Sequence, residues 1–270
     1  MDSIYEYHDS MVMEPNVTQK QDVELSSLQK SGVLGENKCH ILDCLYKYPV
    51  CNKAAIHRFL HLETEEGKKR ASEDLRMLVT LGCVDTITYG TTTIYALSSY
   101  TRKEWGEKKK YYVITPNLFS KSEVLECAAV CQWHLSVAHD GDIGKNMVWQ
   151  EIPLAKSMTF IPSYMEINRG NKYRIFALSS PRGSSASDFV ERICSMWGVM
   201  EKSVRKGQYT LTVIICSSYR EMDSLNNLFQ SVEKAQGRTI YYALDENYEL
   251  NGLCCLHHYK GRTLETIGLV

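Results

Sequence analysis

The sequence predicts an α+β protein with two folded parts: helices closed by a β-hairpin come first, and a mixed sheet flanked by helices follows. Three observations lead to this prediction. Apolar residues recur at helical spacing between residues 36 and 82, β-branched residues then flank Gly90, and helical and strand-like segments alternate from residue 117 onward. A chain of 270 residues is long enough for two domains with separate cores.

Composition and charge narrow the class of protein. The chain is 44% hydrophobic and 23% charged, with a formal net charge of −1, and no apolar run approaches the ~20 residues of a membrane span. The N-terminal stretch MDSIYEYHDSMVMEPN is acidic and polar where an export signal needs a cationic start and an apolar stretch. These features predict a cytoplasmic protein with no membrane partner, whose ten cysteines are reduced and mostly buried.

The N-terminal elements can be assigned in order. Residues 1–34 are predicted to be an arm with room for one short helix. The segment ENKCHILDCLYKY has its apolar residues on one helical face and ends before Pro49. Asn52 suits the N-cap of a second helix, KAAIHRFLHL. The segment TEEGKKRASEDLRMLVTLGCV predicts a third helix that ends at Gly82.

A β-hairpin follows the third helix. The segment CVDTITYGTTTIYALS has β-branched residues on both sides of Gly90, which predicts two strands and a turn. Three helices and a hairpin in this order make a winged helix-turn-helix, which we place at residues 35–99. The charged segment SYTRKEWGEKKKYYVITP comes next, and we interpret residues 100–116 as a linker.

The rest of the chain, residues 117–270, is predicted to be an α/β domain with a mixed sheet. A long helix, NLFSKSEVLECAAVCQWHLSVA, leads into three strand-like segments. Two helices then alternate with strands, of which QYTLTVIICSS is apolar enough to be buried on both faces. The order is α-β-β-β-α-β-α-β, and GLCCLHHYKG near the C-terminus suits an added edge strand.

A winged helix followed by this core resembles the replication-relaxation family of bacterial plasmids and conjugative elements. In that family a helical RRL…L…G-L/V segment leads into a wing that ends Y-x-L. Here KKRASEDLRMLVTLGCV and TIYALS occupy those places, and the resemblance covers residues 36–245. It implies that the second domain has a restriction-endonuclease-like core and that the protein acts on mobile-element DNA.

The resemblance breaks at the residues that would cut DNA. The restriction-endonuclease-like fold implies an acid after a proline on one strand and an acid-x-Lys triplet on the next. Here Pro162 precedes Ser163, and the triplet positions hold Ala177 and Ser179. Serine and alanine do not replace the carboxylates that seat a hydrolytic metal ion. We therefore expect a domain without catalytic residues, metal or cofactor.

The third helix is the predicted DNA-binding element, because in winged helices this helix commonly enters the major groove. Basic and hydroxyl side chains there, on the wing and beyond it suit phosphates and base edges. The candidate contacts are Lys68, Lys69, Arg70, Ser72, Arg76, Tyr89, Thr91, Thr92, Lys108, Lys109 and Lys110. The alternative is a solvated helix face, since Glu73 and Asp74 interrupt the basic residues.

Together these features favour a non-enzymatic DNA-binding accessory protein of a bacterial mobile element, acting in plasmid replication or conjugative mobilisation. Its expected partners are double-stranded DNA, a second copy of the chain as a homodimer, and a relaxase or replication protein. Two alternatives stay open. One is a protein–protein interaction module or transcriptional regulator whose winged helix is structural. The other is a weak metal-dependent nuclease that uses other acids, such as Glu151 or Glu166.

Overall fold

A computed structural model describes nine parts of the chain: residues 24–89, 92–109, 121–139, 148–151, 163–169, 171–183, 185–203, 208–245 and 256–267. Over these residues the protein is a mixed α+β structure with eight α-helices and two β-sheets. Its contacts divide it into a first unit within His8–Leu135 and a second unit within Ser136–Val270. In the described parts, no helix combines the length and the apolar character that crossing a bilayer requires.

The first unit packs its helices around a small antiparallel sheet. Its elements are α1 (Leu25–Lys30), α2 (Glu36–Lys47), β1 (Cys51–Asn52), α3 (Lys53–Phe59), α4 (Glu65–Thr80), β2 (Val84–Tyr89), β3 (Thr92–Leu97), α5 (Ser99–Lys109) and most of α6 (Lys121–His139). The strands lie in the order β1-β3-β2. Apolar side chains of α2, α3, α4 and β3 are fully buried, as at Ile41, Ile56, Leu78 and Ile94, and they form the core.

Two of the predicted helix ends are confirmed. The Asn52 side chain accepts a hydrogen bond from the Ala55 amide at 2.8 Å, which caps α3. Gly82 follows α4 with φ of +73°, and the Cys83 amide donates to the Leu78 carbonyl at 2.9 Å. Only glycine adopts this left-handed conformation without strain, so Gly82 ends the helix as its sequence position indicated.

Residues 99–109 differ from the prediction of a linker, because they form the helix α5. Buried Arg102 donates from Nη2 to the Leu45 carbonyl at 2.8 Å, and Trp105 Nε1 donates to Asp43 Oδ1 at 2.9 Å. Glu104 Oε2 accepts from the Leu25 amide of α1 at 3.0 Å. The charged and polar residues of this segment therefore join α5 to α1 and α2. A search for hydrophobic periodicity does not detect a helix that is attached through polar contacts.

The helix α6 also groups differently from the predicted domain that begins at residue 117. Its residues up to Leu135 belong to the first unit. Gln132 Oε1 accepts a hydrogen bond from Asn52 Nδ2 at 3.1 Å, and the His134 ring lies 5.1 Å from the Tyr48 ring. These buried contacts attach α6 to β1 and to the end of α2.

His134 is 1% exposed, and this burial has a consequence for stability. Burial, helped by the charge of Lys47, lowers the pKa of His134 well below its ordinary value of 6.5. Below about pH 6.5 the unfolded chain takes up a proton on this ring while the folded chain does not. Stability that is present at neutral pH is therefore lost as the pH falls, by up to about 1.4 kcal/mol per pH unit.

We expect His134→Gln to remove this part of the pH dependence. The measurement is the free energy of urea unfolding of the first unit at about pH 7.5 and about pH 5.5. The control is His40→Gln, which makes the same substitution at an exposed histidine of α2. The same loss of stability on acidification in His134→Gln and in the parent would contradict the role given to His134.

The second unit is built on a seven-stranded sheet. Its elements are β4 (Val148–Glu151), β5 (Ser163–Arg169), β6 (Asn171–Ser179), α7 (Ala186–Ser203), β7 (Gln208–Cys216), α8 (Tyr219–Ser231), β8 (Ile240–Leu244), β9 (Leu256–Lys260) and β10 (Thr263–Ile267). The strand order is β10-β9-β8-β7-β6-β5-β4. The central strands β6, β7 and β8 are parallel, and the outer pairs are antiparallel. The predicted mixed sheet is confirmed, and the predicted single strand near the C-terminus is a hairpin, β9–β10.

Both helices of the parallel region pack on one face of the sheet. Phe176, Ile214 and Tyr242 of the three parallel strands share a buried cluster with Trp197 of α7 and Phe229 of α8. This arrangement follows from two successive crossovers of the same hand, each placing its helix over the sheet. Because β6, β7 and β8 are parallel, their carboxyl ends lie at the same edge of the sheet, where ligand sites of parallel sheets are usually found.

The cysteines are distributed over both cores. Of the eight described cysteines, seven are buried: Cys44, Cys51, Cys83, Cys127, Cys131, Cys194 and Cys216. They pack as small apolar side chains, which agrees with the prediction that the thiols are mostly buried.

Candidate functional site

The exposed side of α4 carries most of the predicted DNA contacts of this helix. Buried Ala71, Leu75 and Leu78 fix the opposite side against the core, and Thr64 caps the first turn by accepting from the Gly67 amide at 3.1 Å. The exposed residues then follow one another at helical spacing. We call them the outer face of α4: Glu65, Glu66, Lys69, Arg70, Glu73, Arg76, Met77 and Thr80.

Several of the predicted cations are already engaged. Lys68 Nζ lies 2.8 Å from Glu65 Oε1, and this contact lowers the pKa of Glu65. Arg70 pairs with Glu66 one turn earlier. Because these exposed pairs are weak, a phosphate can displace them at small cost.

Lys69 and Arg76 differ from Lys68 and Arg70 because they have no acidic partner among the described residues. Neither forms an ion pair with any residue that the structure describes, and both are exposed. Asp74, the acid nearest to them on the inner side, is held by Lys38 of α2 at 2.9 Å. Glu73 lies between Lys69 and Arg76 and is the remaining acid beside them on α4. The available positive charge of α4 is therefore concentrated at Lys69 and Arg76.

The other predicted DNA contacts give less support to a DNA-binding surface. The Ser72 hydroxyl donates to the Lys68 carbonyl at 2.7 Å and lies 3.2 Å from His57 Nε2, so it is engaged within the unit. Tyr89 and Thr92 form the last pair of the β2–β3 hairpin. Two further candidates, Lys108 and Lys109, lie in the last turn of α5. The remaining two, Thr91 and Lys110, fall outside the described residues.

In the second unit, the register brings the degenerate nuclease positions together. Ser163 of β5 is directly opposite Ala177 of β6, and Glu151 of β4 is directly opposite Ser163. Opposite residues of antiparallel strands share a face, so the three positions form one row. Glu166 is paired with Val148 and Arg174 and does not belong to this row. This row offers one carboxylate position, at Glu151.

Ser179, at the position implied for a nuclease lysine, belongs to a buried polar cluster. Its hydroxyl donates to the Ser180 carbonyl at 2.9 Å and accepts from Arg182 Nε at 3.1 Å. Arg182 Nη2 lies 2.9 Å from Asp245 Oδ2, and the two side chains are 2% and 0% exposed. Asp245 follows β8, so this ion pair joins the ends of β6 and β8 across the end of β7.

The sequence did not single out Arg182 and Asp245. Close to Arg182 in the sequence, Ser185 caps α7, since its Oγ accepts from the Asp188 amide at 3.4 Å. The available signal was an arginine and an aspartate directly after two strand-like segments. In a parallel sheet these positions meet at the same edge, but the sequence alone does not show which strands are parallel neighbours.

The neighbouring turn, between β7 and α8, is occupied by a carboxylate. Glu221 Oε2 accepts from the Ser217 amide at 2.6 Å and from the Ser217 hydroxyl at 2.7 Å, while Ser218 caps the helix. Cys216 lies beside these charges. Its pKa is raised well above the usual value, chiefly by burial and also by Glu221. The thiol therefore stays protonated and is a poor nucleophile.

Metal-ligating side chains do not converge in the described parts of the chain: no group of three or more His, Cys, Asp or Glu is arranged to hold an ion. No protein-family model, curated protein or solved structure matches this chain. The functional assignment consequently depends on the two sites themselves, the outer face of α4 and the edge that carries Arg182 and Asp245.

Proposed function

We propose that this chain is a non-enzymatic DNA-binding accessory protein of a bacterial mobile element, acting in the cytoplasm in plasmid replication or conjugative mobilisation. On this proposal the first unit is a winged helix. The order α2-β1-α3-α4-β2-β3, with β1 paired to β3, supports it. In this type of fold the helix before the hairpin is the one that enters the major groove. Here that helix is α4.

The single observation that carries the proposal is that Lys69 and Arg76 are exposed and form no ion pair with a described residue. Both project from the outer face of α4 without an acid bound to them among the described residues. An unpaired cation loses no existing ion pair when it binds a phosphate, and the counterions condensed on the DNA are released. Arg76 also offers the planar fork that recognises a guanine edge.

The second unit is proposed to be a restriction-endonuclease-like core that has lost its chemistry. The pairing of Ser163 with Ala177 supports this, because it brings the implied acid positions side by side with no carboxylate in either. Ser179 is likewise engaged by Arg182. A single carboxylate at Glu151 does not replace the ligands of a catalytic metal ion. We infer that this unit serves dimerisation or recruitment of a relaxase or replication protein.

The double variant Lys69→Ala/Arg76→Ala is expected to bind duplex DNA at least tenfold more weakly. Binding is measured by fluorescence anisotropy with a random-sequence duplex at several salt concentrations. Removing two phosphate contacts is expected to reduce the slope of log K against log salt by about 2.

The matched control is Lys30→Ala/Lys234→Ala, which removes two exposed lysines that belong to other elements than α4. It has the same net charge as the test variant, so a general electrostatic effect would appear in both. Equal affinity and equal salt slope for the two double variants would refute the assignment of α4 as the DNA-binding helix.

A protein-interaction function is the second candidate, and Met77 is the observation that favours it. This residue is 47% exposed on the outer face of α4, among charged neighbours. An exposed methionine is typical of surfaces that bind other proteins. If the outer face of α4 binds protein rather than DNA, Met77→Ala weakens that complex, whereas Lys69→Ala/Arg76→Ala leaves the DNA affinity unchanged.

A further inference from the structure

A groove of about 530 Å³ lies in the second unit, between α8, residues 236–239 and the strands β8, β9 and β10. This volume is within the ~300–1,000 Å³ range of small-molecule sites. Among the described residues, its lining includes neither the outer face of α4 nor the cluster of Arg182 and Asp245. The groove is thus a separate site, and its lining decides what it accepts.

Arg238 provides a positively charged wall, and its contacts include two that hold the side chain in place. Its guanidinium carbon lies 4.7 Å from the centre of the Trp197 ring, and its Nε donates to the Lys234 carbonyl at 3.3 Å. These contacts restrict the side chain before a ligand arrives, which reduces the entropy lost on binding. The planar guanidinium matches the oxygen atoms of a phosphate group.

Lys260, the last residue of β9, adds a second cation to the lining. It is exposed and forms no ion pair with a described residue. Among the described residues of the lining, the acid is Glu265 of β10, whose Oε2 lies 3.5 Å from His258 Nε2. Two cations against one acid give these described residues a formal charge of +1, with histidine not counted. This balance favours an anion.

The remaining lining is suited to more than a bare anion. Asn226, Gln230 and Gln236 contribute amide groups, each of which both donates and accepts hydrogen bonds. Tyr259, which is partly buried, contributes aromatic surface, whereas Phe229 belongs to the buried core and forms only the floor of the groove. Inorganic phosphate uses neither feature, whereas a polar molecule that contains a ring uses both.

We propose that this groove binds a small phosphate monoester with a polar, ring-containing body, of the nucleoside monophosphate or sugar phosphate class. Arg238 and Lys260 bind the phosphate, and the amides and the Tyr259 ring contact the body. The inference is independent of DNA binding by α4, because it concerns other residues in the other unit.

The test is a ¹⁵N NMR titration of the full chain with thymidine monophosphate, glucose 6-phosphate, inorganic phosphate and thymidine. At least one of the two esters is expected to bind with a Kd on the order of 1 mM or tighter, and about tenfold more tightly than inorganic phosphate or thymidine. The shifts are expected at residues of α8, β9 and β10. Which ester binds more tightly identifies the body.

The matched variants are Lys260→Ala and Arg262→Ala, which lie in the same hairpin. Lys260 lines the groove and Arg262 does not. Lys260→Ala is expected to weaken binding of the preferred ester about fivefold or more, and Arg262→Ala is expected to leave it unchanged. Failure of both esters to bind, equal binding of inorganic phosphate, or equal effects of the two variants would overturn the proposal.

Discussion

The Asp245→Asn variant is expected to lose about 3 kcal/mol of the free energy of unfolding of the second unit. Arg182 and Asp245 form an ion pair at 2.9 Å with both side chains almost fully buried. Removing the negative charge leaves a guanidinium in the protein interior without its counter-charge, and water does not replace it there. An exposed pair such as Lys68–Glu65 is worth only about 0–1 kcal/mol, because water screens it.

Hydrogen exchange of the β6, β7 and β8 amides in increasing urea measures this loss for the second unit alone. The variants are Arg182→Met, Asp245→Asn and the combination of both. The double variant is expected to be less destabilised than the sum of the two single variants, because it leaves no unpaired charge. Strict additivity would show that the two side chains do not stabilise each other directly.

The Arg102→Met variant is expected to destabilise the first unit by about 2–3 kcal/mol. The Arg102 side chain is 2% exposed, and its Nη2 donates to the Leu45 carbonyl at 2.8 Å and to the Pro49 carbonyl at 3.4 Å. Leu45 lies in the last turn of α2, where the helix dipole favours a cation, and Pro49 follows the end of the helix. Methionine keeps the apolar volume of the side chain but provides neither the charge nor the donors.

The control for this variant is Lys103→Met, the next residue of α5, which is exposed. We expect it to change the free energy of unfolding by less than about 0.5 kcal/mol. Hydrogen exchange of the α2 amides in increasing urea measures the free energy of unfolding of the first unit for each variant. If Arg102→Met is no more destabilising than Lys103→Met, α5 is not part of the cooperative first unit.

Elements whose signal is local were predictable from the sequence. Asn52 and Gly82 act within one turn of their own helices, so residue type alone indicates where α3 begins and where α4 ends. The strand β7 is a continuous apolar run, and it lies at the centre of the sheet where both faces are buried. Periodicity and caps report these features because they depend on neighbours in the sequence.

Features that depend on distant residues were not predictable. The helix α5 attaches to the rest of its unit through Arg102, Glu104 and Trp105, and a polar attachment leaves no apolar stripe in the sequence. Arg182 and Asp245 meet only because β6 and β8 are both parallel to β7.

The candidate site on α4 was partly predictable. Its position and its basic residues followed from the helical pattern, whereas the engagement of Lys68 and Arg70 by Glu65 and Glu66 depends on i, i+3 and i, i+4 spacing. That spacing was visible in the sequence. The spacing alone does not separate the engaged cations from Lys69, which lies four residues after Glu65, or from Arg76, which lies three residues after Glu73.

The burial of the thiols gives each unit its own chemical reporter of opening. The thiolate is the form that alkylating reagents attack, and burial raises the pKa of Cys51 in the first unit and of Cys216 in the second. Each of these sulfur atoms becomes reactive only when the surrounding core opens to solvent. Alkylation by iodoacetamide, measured by mass spectrometry, would therefore give the opening rates of both cores in one reaction. No label has to be introduced into the protein.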